Sequence, residues 1–294
     1  MRKITIIGAG QAGLHLGIGL LSRGFDVTVV SNRTGRDIAA GKVMSSQSMY
    51  DMAIGYEREL GLALWDGACP PIEGVHMRAG TRDGTTMIDW RSRMRASGQS
   101  VDQRIKMPVW SDVSTPAEHL TLANELIREF FPWEAPRCEK LRLTDDNGIL
   151  VGRITPTVRK PVGTLPSGRQ VLGMADVLVL NDPITGQGSN NAAKCVKVYL
   201  DAILEQGARP FDADWMSATF ERYWDYAQWV ARFTNTHLLP PPPQVLKVFA
   251  ACGENPRLAA RVANAFDDPK GLAPWYYDPV EADHFIDSFA VAAA

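Results

Sequence analysis

Residues 3–30 place a glycine turn between a short apolar strand and a helix, an order that few folds accept. Lys3-Ile4-Thr5-Ile6-Ile7 is apolar and ends on two β-branched residues. Gly8-Ala9-Gly10-Gln11-Ala12-Gly13 follows without a break, and Leu14 to Ser22 reads as helix. Gly24 closes that helix, and Asp26-Val27-Thr28-Val29-Val30 reads as a second buried strand. In this context G-x-G-x-x-G points to a dinucleotide. Gly8 permits the tight turn, Gly10 lets the backbone approach a pyrophosphate, and Gly13 lets the helix pack close to the sheet. Free N–H groups at the helix N-terminus then face the phosphates. The bland alternative, a glycine-rich turn in some other α/β protein, does not call for the flanking elements.

The motif leaves the dinucleotide open. An NAD site carries an acidic residue about 20 positions on, at the end of the second strand. Here that place holds Ser31, followed by Asn32 and Arg33. A serine can still bond a ribose hydroxyl, so Ser31 and Arg33 are cofactor-binding candidates for either NAD or FAD. The motif starts close to Met1, as is common where such a unit opens a flavoprotein.

Composition narrows the partners. A chain of 294 residues can bury one large core or two ordinary ones. Its 45% apolar and 22% charged content is that of a soluble globular protein. A net charge of −2 gives no electrostatic reason to expect nucleic acid or an anionic membrane. No apolar run reaches the roughly 18 residues of a membrane span. Gly8 comes too early for a signal peptide to precede it. Cys69, Cys138, Cys195 and Cys252 are scattered singly, which predicts reduced thiols in a cytoplasmic protein. His15, His76, His119, His237 and His284 show no metal spacing, and no metal is expected.

Along the chain, Thr34–Gly41 reads as a polar loop and 45–64 as a helix. Gly74–Met87 reads as strands about a turn at Gly80–Gly84, and Pro108 as the start of a short helix. Thr115–Phe131 is an amphipathic helix with Ser114 or Thr115 as its cap and Pro116 in its first turn. Ile149–Val158 is strand-like, Pro161–Arg169 a hairpin loop and Val171–Val179 a return strand. From Asp214 the chain is mainly helical, interrupted at Pro240–Pro243, which cannot be helix interior. Lys194–Lys197 reads as a helix surface and Trp224–Trp229 as core packing.

The second informative stretch is Gly173-Met174-Ala175-Asp176, ten residues ahead of Gly186-Gln187-Gly188-Ser189-Asn190. A carboxylate at a strand end, then a Pro-containing loop and a helix N-terminus, can hold a polyol hydroxyl and an anionic ring together. The helix dipole favours negative charge there by about 1 kcal/mol. An ordinary helix cap after an ordinary turn is the plainer reading of this segment alone.

Taken with the N-terminal motif, the pattern resembles FAD-dependent aromatic hydroxylases and epoxidases of the glutathione-reductase-like superfamily, and within it the oxygenase component of styrene and indole monooxygenases. The resemblance is carried by GAGQAGLHLG at 8–17, KVMSSQS at 42–48, VDQRIKMP at 101–108, DPITGQGSN at 182–190 and Arg232-Phe233-Thr234-Asn235. It implies that Gly8, Gly10 and Gly13 receive the FAD pyrophosphate, with Arg104 nearby. Asp176 would meet the ribitol chain, and Pro183, Gly186, Gln187, Gly188 and Asn190 would line the flavin ring. Lys42 and Ser45 stand where the family has an arginine and an asparagine beside the flavin. His76 aligns with an active-site strand, although a lone histidine near a turn is more often structural.

The same resemblance implies an α/β fold: a Rossmann-like, glutathione-reductase-like FAD-binding domain, a reduced β substrate region and a helical C-terminus. The FAD-binding domain would take residues 1–110 and 168–210, a shortened connecting and substrate region 111–167, and the helical region 211–294. Relatives are longer, with the shortfall between Pro108 and Thr115, where they build most of the substrate domain. The implied reaction is epoxidation of a small aromatic alkene or indole with one oxygen of O2, through a peroxide on reduced flavin. No side chain is singled out as catalytic, since the cofactor carries the chemistry. A single G-x-G-x-x-G fits a separate NADH-dependent flavin reductase, and a homodimer is compatible. The rival readings are a non-catalytic FAD-binding module and an NAD-dependent oxidoreductase, the latter disfavoured by Asp176 with the GQG helix.

Overall fold

The computed structural model of the chain describes residues 2–41, 48–62, 64, 66–68, 72–79, 86–96, 113–143 and 154–290, with 72–79 and 86–96 as backbone strands. Strands β1 (Lys3–Ile7) and β2 (Asp26–Val30) flank helix α1 (Gln11–Leu21). They pair in parallel, from Lys3 opposite Asp26 to Ile7 opposite Val30, as a helical crossover requires. Gly24, at φ +80°, turns the chain out of α1 and back into β2.

Two segments differ from the sequence-based expectation just after this unit. The supposed polar loop holds a one-turn helix, α2 (Gly35–Ala39), closed by a capping box between Thr34 and Asp37. The usual signature has Glu or Gln at the third position, so the shorter Asp hides it. The helix expected over 45–64 is shorter, α3 (Asp51–Glu59). Tyr50 stays extended because its N–H is taken by Asn190 Oδ1 at 2.7 Å and its hydroxyl by Thr185 O at 2.9 Å. Tertiary bonds override local periodicity there.

Strands β3 (Ile72–Ala79) and β4 (Thr86–Ala96) form an antiparallel hairpin. The expected turn at 80–84, the short helix after Pro108 and the segment 149–153 lie outside the described residues. Helix α4 (Pro116–Phe130) begins as predicted, with Thr115 as cap, Glu118 completing the box and Pro116 in the first turn. A short α5 (Ala135–Cys138) follows. Strand β5 (Thr157–Val158) pairs with β8 (Val179–Leu180), and β6 (Val162–Thr164) with β7 (Gln170–Leu172), both antiparallel. The single return strand expected over 171–179 is therefore broken in two. Gly173 sits where a Cβ would fall 2.6 Å from Leu178 Cδ2, and Ala175 adopts φ +52°, so the chain makes a 3-10 turn over Ala175–Val177 between the strands.

Helix α6 (Gly188–Gln206) packs on α1 and joins the first βαβ unit to the second half of the chain. Ile6, Leu16 and Leu20 interlock with Val196, Leu200 and Ile203. A Cβ on Gly19 would fall 2.8 Å from Leu200 Cδ2, so the glycine sets how close the helices lie. Each fully buried leucine contributes about 1.5–3 kcal/mol of transfer free energy. Helices α7 (Ala213–Thr236), α8 (Pro243–Glu254), α9 (Pro256–Asn264), α10 (Ala273–Tyr277) and α11 (Pro279–Ala290) complete the chain. Their shared core includes Phe233, Val248, Leu258, Leu272, Trp275 and Tyr276. Pro240–Pro242 separate α7 from α8 as expected. The described residues thus form a mixed α/β chain, mostly helical, with four two-stranded sheets. None of its described helices is long and apolar enough to cross a membrane.

Lys194 overturns one expectation. It is buried rather than part of a helix surface, and its ammonium donates to Tyr226 Oη and the Asp267 carbonyl. Desolvation lowers its pKa to about 8, opposed by Asp267 and Asp268. Lys197 does lie at the surface of α6, paired with Glu59 and Asp201. Trp224 stacks on Phe220, and Trp229 packs on Tyr277. Cys138, Cys195 and Cys252 are free thiols.

Candidate functional site

The α1–α6 contact brings the two glycine motifs to one cavity of about 1080 Å³. From the first motif, Gly8, Gly10 and Gly13 line it; from the second, Pro183, Gly186 and Gly188. Asp176 lines the same cavity. More than 160 positions of sequence separate Gly8 from Asp176; packing of α1 on α6 closes that distance.

Each glycine of the first motif is needed for its own reason. Gly8 has φ +109°, a conformation that L side chains rarely adopt, and its N–H donates to Val30 O at 2.8 Å. Gly13 lies against the turn: a Cβ there would fall 2.1 Å from Gly8 O. Gly10 differs, since a Cβ would meet no protein atom within 4 Å and would enter open space beside the cavity. Gly10 caps α1, whose first turn carries no acidic residue, so its N-terminal N–H groups present an uncompensated positive end.

The opposite wall is held by buried polar groups. Asp182 Oδ1 accepts from Ile184 N–H at 2.9 Å and fixes the 3-10 turn Pro183–Thr185. Gly186, at φ +65°, leads from that turn toward α6, and a Cβ there would press on Tyr50 Oη at 3.0 Å. Asn190 accepts from Tyr50 N–H and donates to the Ser48 and Gly186 carbonyls at 2.7 and 2.8 Å. Gln187 donates to the Phe266 carbonyl at 2.7 Å, and the Thr185 and Thr234 hydroxyls meet at 2.7 Å. Gln187 and Asn190 are thus fully buried supports behind the wall, while Pro183, Gly186 and Gly188 face the cavity.

Asp176 is presented by a strained turn. Tyr199 Oη donates to Gly173 O at 2.9 Å, Ala175 N–H to Cys195 Sγ at 3.4 Å, and Arg159 Nη1 to the Asp176 and Val177 carbonyls. These bonds hold Ala175 at positive φ and leave the Asp176 carboxyl open to the cavity. The surrounding walls nevertheless desolvate that carboxyl and raise its pKa above the ordinary value. Asn181 was not anticipated from the sequence. It lines the cavity, is 7% exposed, and its Nδ2 has no hydrogen-bond partner. The one signal for it is its place directly before Asp182.

Ser31 and Arg33 sit at the exposed end of β2, where Ser31 Oγ accepts from Arg33 N–H at 3.1 Å. They lie at the same sheet end as Gly8 but do not line the cavity. Lys42, Ser45 and Arg104 lie outside the described residues. His76 belongs to β3, opposite Asp89 on β4. Among the described residues, no group of three His, Cys, Asp or Glu could hold a metal ion.

No protein-family model matches the chain. The styrene monooxygenase StyA of Pseudomonas fluorescens is 25% identical over 290 aligned positions, covering 93% of this chain and 68% of the relative. A second styrene monooxygenase StyA, from a Pseudomonas species, is 24% identical over the same shares. The chain is a distant relative of styrene monooxygenases. That relation accords with the geometry, since a cavity edged by two glycine loops and a carboxylate suits a flavin dinucleotide. The cradle is free of Cβ atoms at Gly10 and Gly188, α1 and α6 both begin beside it, and Asn181 holds an unused donor. The residues present fit FAD.

Proposed function

We propose that the chain binds FAD across this cavity and is a flavin-dependent monooxygenase that oxygenates a small aromatic alkene or indole. The observation that carries this reading is the convergence of Gly8–Gly13, Asp176 and Pro183–Gly188 on one cavity. Reduced flavin, when bound, supplies the activation of O2 and the transfer of one oxygen atom. The residues of the chain bind and orient. Gly8, Gly10 and the first turn of α1 would receive the pyrophosphate, with Ser31 and Arg33 beyond it. The Asp176 carboxylate would accept from a ribitol hydroxyl, and Asn181 would donate to an acceptor on the cofactor. Pro183, Gly186 and Gly188 would border the ring, fixed from behind by Gln187 and Asn190. Lys42, Ser45 and Arg104 are proposed as further contacts by the same resemblance.

The same reading assigns 1–110 and 168–210 to the cofactor unit, 111–167 to the connecting and substrate region and 211–294 to the helical region. Reduced FAD would come from a separate NADH-dependent reductase.

A second reading is favoured by the open surroundings of the site. Ile7 is 74% and Val177 64% exposed, whereas an efficient oxygenase must exclude water from the ring. A non-catalytic FAD-binding module would tolerate such openness. The assay mixes protein and anaerobically reduced FAD with O2 and styrene or indole, then quantifies oxygenated product against hydrogen peroxide. Product above a protein-free control, even with much peroxide, supports the monooxygenase. Peroxide alone in a protein that binds FAD supports the module.

A further inference from the structure

Helix α6 serves the site twice. Its N-terminus places Gly188 beside the cavity and Asn190 behind the wall. Farther along, Cys195 and Tyr199 are four residues apart and share one face of the helix. Both are buried, at 0% and 3% exposure, and both reach the turn that precedes Asp176. Cys195 Sγ accepts from Ala175 N–H at 3.4 Å, and Tyr199 Oη donates to Gly173 O at 2.9 Å. Between them they grip the backbone on either side of Met174.

That clasp falls on the most strained backbone of the turn. Among the described residues Ala175 is the one non-glycine at positive φ, +52°. Such a conformation persists only where the surroundings over-determine it. Asp176 is the next residue, so the backbone angles of Ala175 decide which way its carboxyl points. Relaxation of Ala175 to negative φ would re-aim a carboxyl that lines the cavity. Neither clasp group is suited to chemistry of its own. Burial pushes the Cys195 thiol up to about 12 and raises the Tyr199 hydroxyl as well. Both stay neutral at physiological pH and act through hydrogen bonds.

We propose that Cys195 and Tyr199 are positioning residues for the cofactor: by clasping the 173–175 turn to α6, they hold the Asp176 carboxyl in place relative to the helix N-terminus that borders the flavin ring. The assignment rests on the FAD reading of the cavity and goes beyond it. It makes affinity depend on Cys195, which does not line the cavity, and on the hydroxyl rather than the ring of Tyr199. Packing alone is the competing account. Packing predicts lost stability wherever either side chain is trimmed, whereas positioning predicts that affinity follows the geometry of Ala175 and Asp176.

The experiment titrates FAD, by visible difference spectra, into the full chain and a set of variants shown to be folded by melts. Tyr199→Phe keeps the ring and removes one donor, Cys195→Ala removes the acceptor, and Cys195→Ser keeps one. Tyr199→Phe and Cys195→Ala should each bind FAD about fivefold or more weakly than wild type, with Cys195→Ser closer to wild type than Cys195→Ala. Two further readouts separate positioning from packing. Glycine takes positive φ without the steric cost, so Ala175→Gly added to Cys195→Ala should recover about threefold or more in affinity. In an Asp176→Ala background, Tyr199→Phe should cost less than about twofold, because the group being positioned is gone. Tyr199→Phe is close to isosteric, so the cycle with Asp176 stands even if Cys195→Ala folds poorly. Wild-type affinity in Tyr199→Phe overturns the proposal and leaves the FAD reading standing. So does an undiminished Tyr199→Phe effect in the Asp176→Ala background, or a folded Cys195→Ala that Ala175→Gly does not improve. A wild type that binds no FAD overturns the reading and the proposal together.

Discussion

The two walls of the cavity reach their shape by opposite means. The wall of residues 181–190 is held by buried side chains: Asn190 ties Tyr50, Ser48 and Gly186 together, Gln187 reaches Phe266, and Thr185 meets Thr234. The wall of β1 and its glycine loop is paired with β2 and relies on missing side chains, at Gly13 for packing and at Gly10 for open space. A polar network positions the first wall before any ligand arrives. The second is a bare backbone surface, open at Gly10.

This contrast is broken most forcefully at Gly13. A Cβ 2.1 Å from a backbone carbonyl cannot be relieved by a rotamer change, so Gly13→Val should cost about 3 kcal/mol or more. Denaturant melts check it, and an unchanged midpoint would mean that α1 does not press on the turn. Next comes Asn190→Ala, which strands the Tyr50 N–H and two carbonyls. With an orphaned buried group costing about 1–3 kcal/mol, a loss on the order of 3 kcal/mol is expected by the same melts. A surface-like change below about 0.5 kcal/mol would show that the first wall does not depend on its network.

Lys194 sharpens the contrast through pH. Its folded pKa of about 8 lies below the ordinary 10.5, so the unfolded chain holds more protons across that window. Stability should rise with pH from about 8 to 10.5. Lys194→Met should flatten the rise relative to wild type, as read by melts at stepped pH. Equal slopes in the two proteins would place the lysine in solvent. The smallest effect is expected at Ala175→Gly. Relief of a positive φ and loss of unfolded-state restriction oppose each other, leaving a change within about 1 kcal/mol. A larger loss would mean that the Ala175 methyl, rather than the turn geometry, supports Asp176.

How the sequence could be read follows from the same contrast. The backbone wall is written locally: Gly8, Gly10 and Gly13 each occupy a fixed offset between a strand and a helix. Asp176 and DPITGQGSN are likewise local patterns, and so are the α4 cap at Thr115 and the proline break before α8. The supports were not legible. Tyr50 stays extended because of Asn190, some 140 positions away, and no local pattern carries that bond. Lys194 reads as surface until α7 and the Asp267 turn cover it. The return strand breaks at Gly173–Ala175 because Leu178 and Tyr199 claim that space. The buried donor of Asn181 was visible only once the cavity existed.

The central claim is that two distant motifs build one FAD site, and a titration on four proteins tests it most directly. Gly10→Val places a branched side chain in the open space beside the cavity, and Asp176→Ala removes a charge-assisted acceptor worth about 1.5–3 kcal/mol. Visible difference spectra with added FAD should show each variant binding roughly tenfold or more weakly than wild type, at unchanged melting temperature, and the double variant weaker still. Wild-type affinity should also fall as pH drops through the raised pKa of Asp176, where the carboxylate acquires a proton, and that fall should vanish in Asp176→Ala. Equal FAD affinity in wild type, Gly10→Val and Asp176→Ala, all folded, would contradict the account.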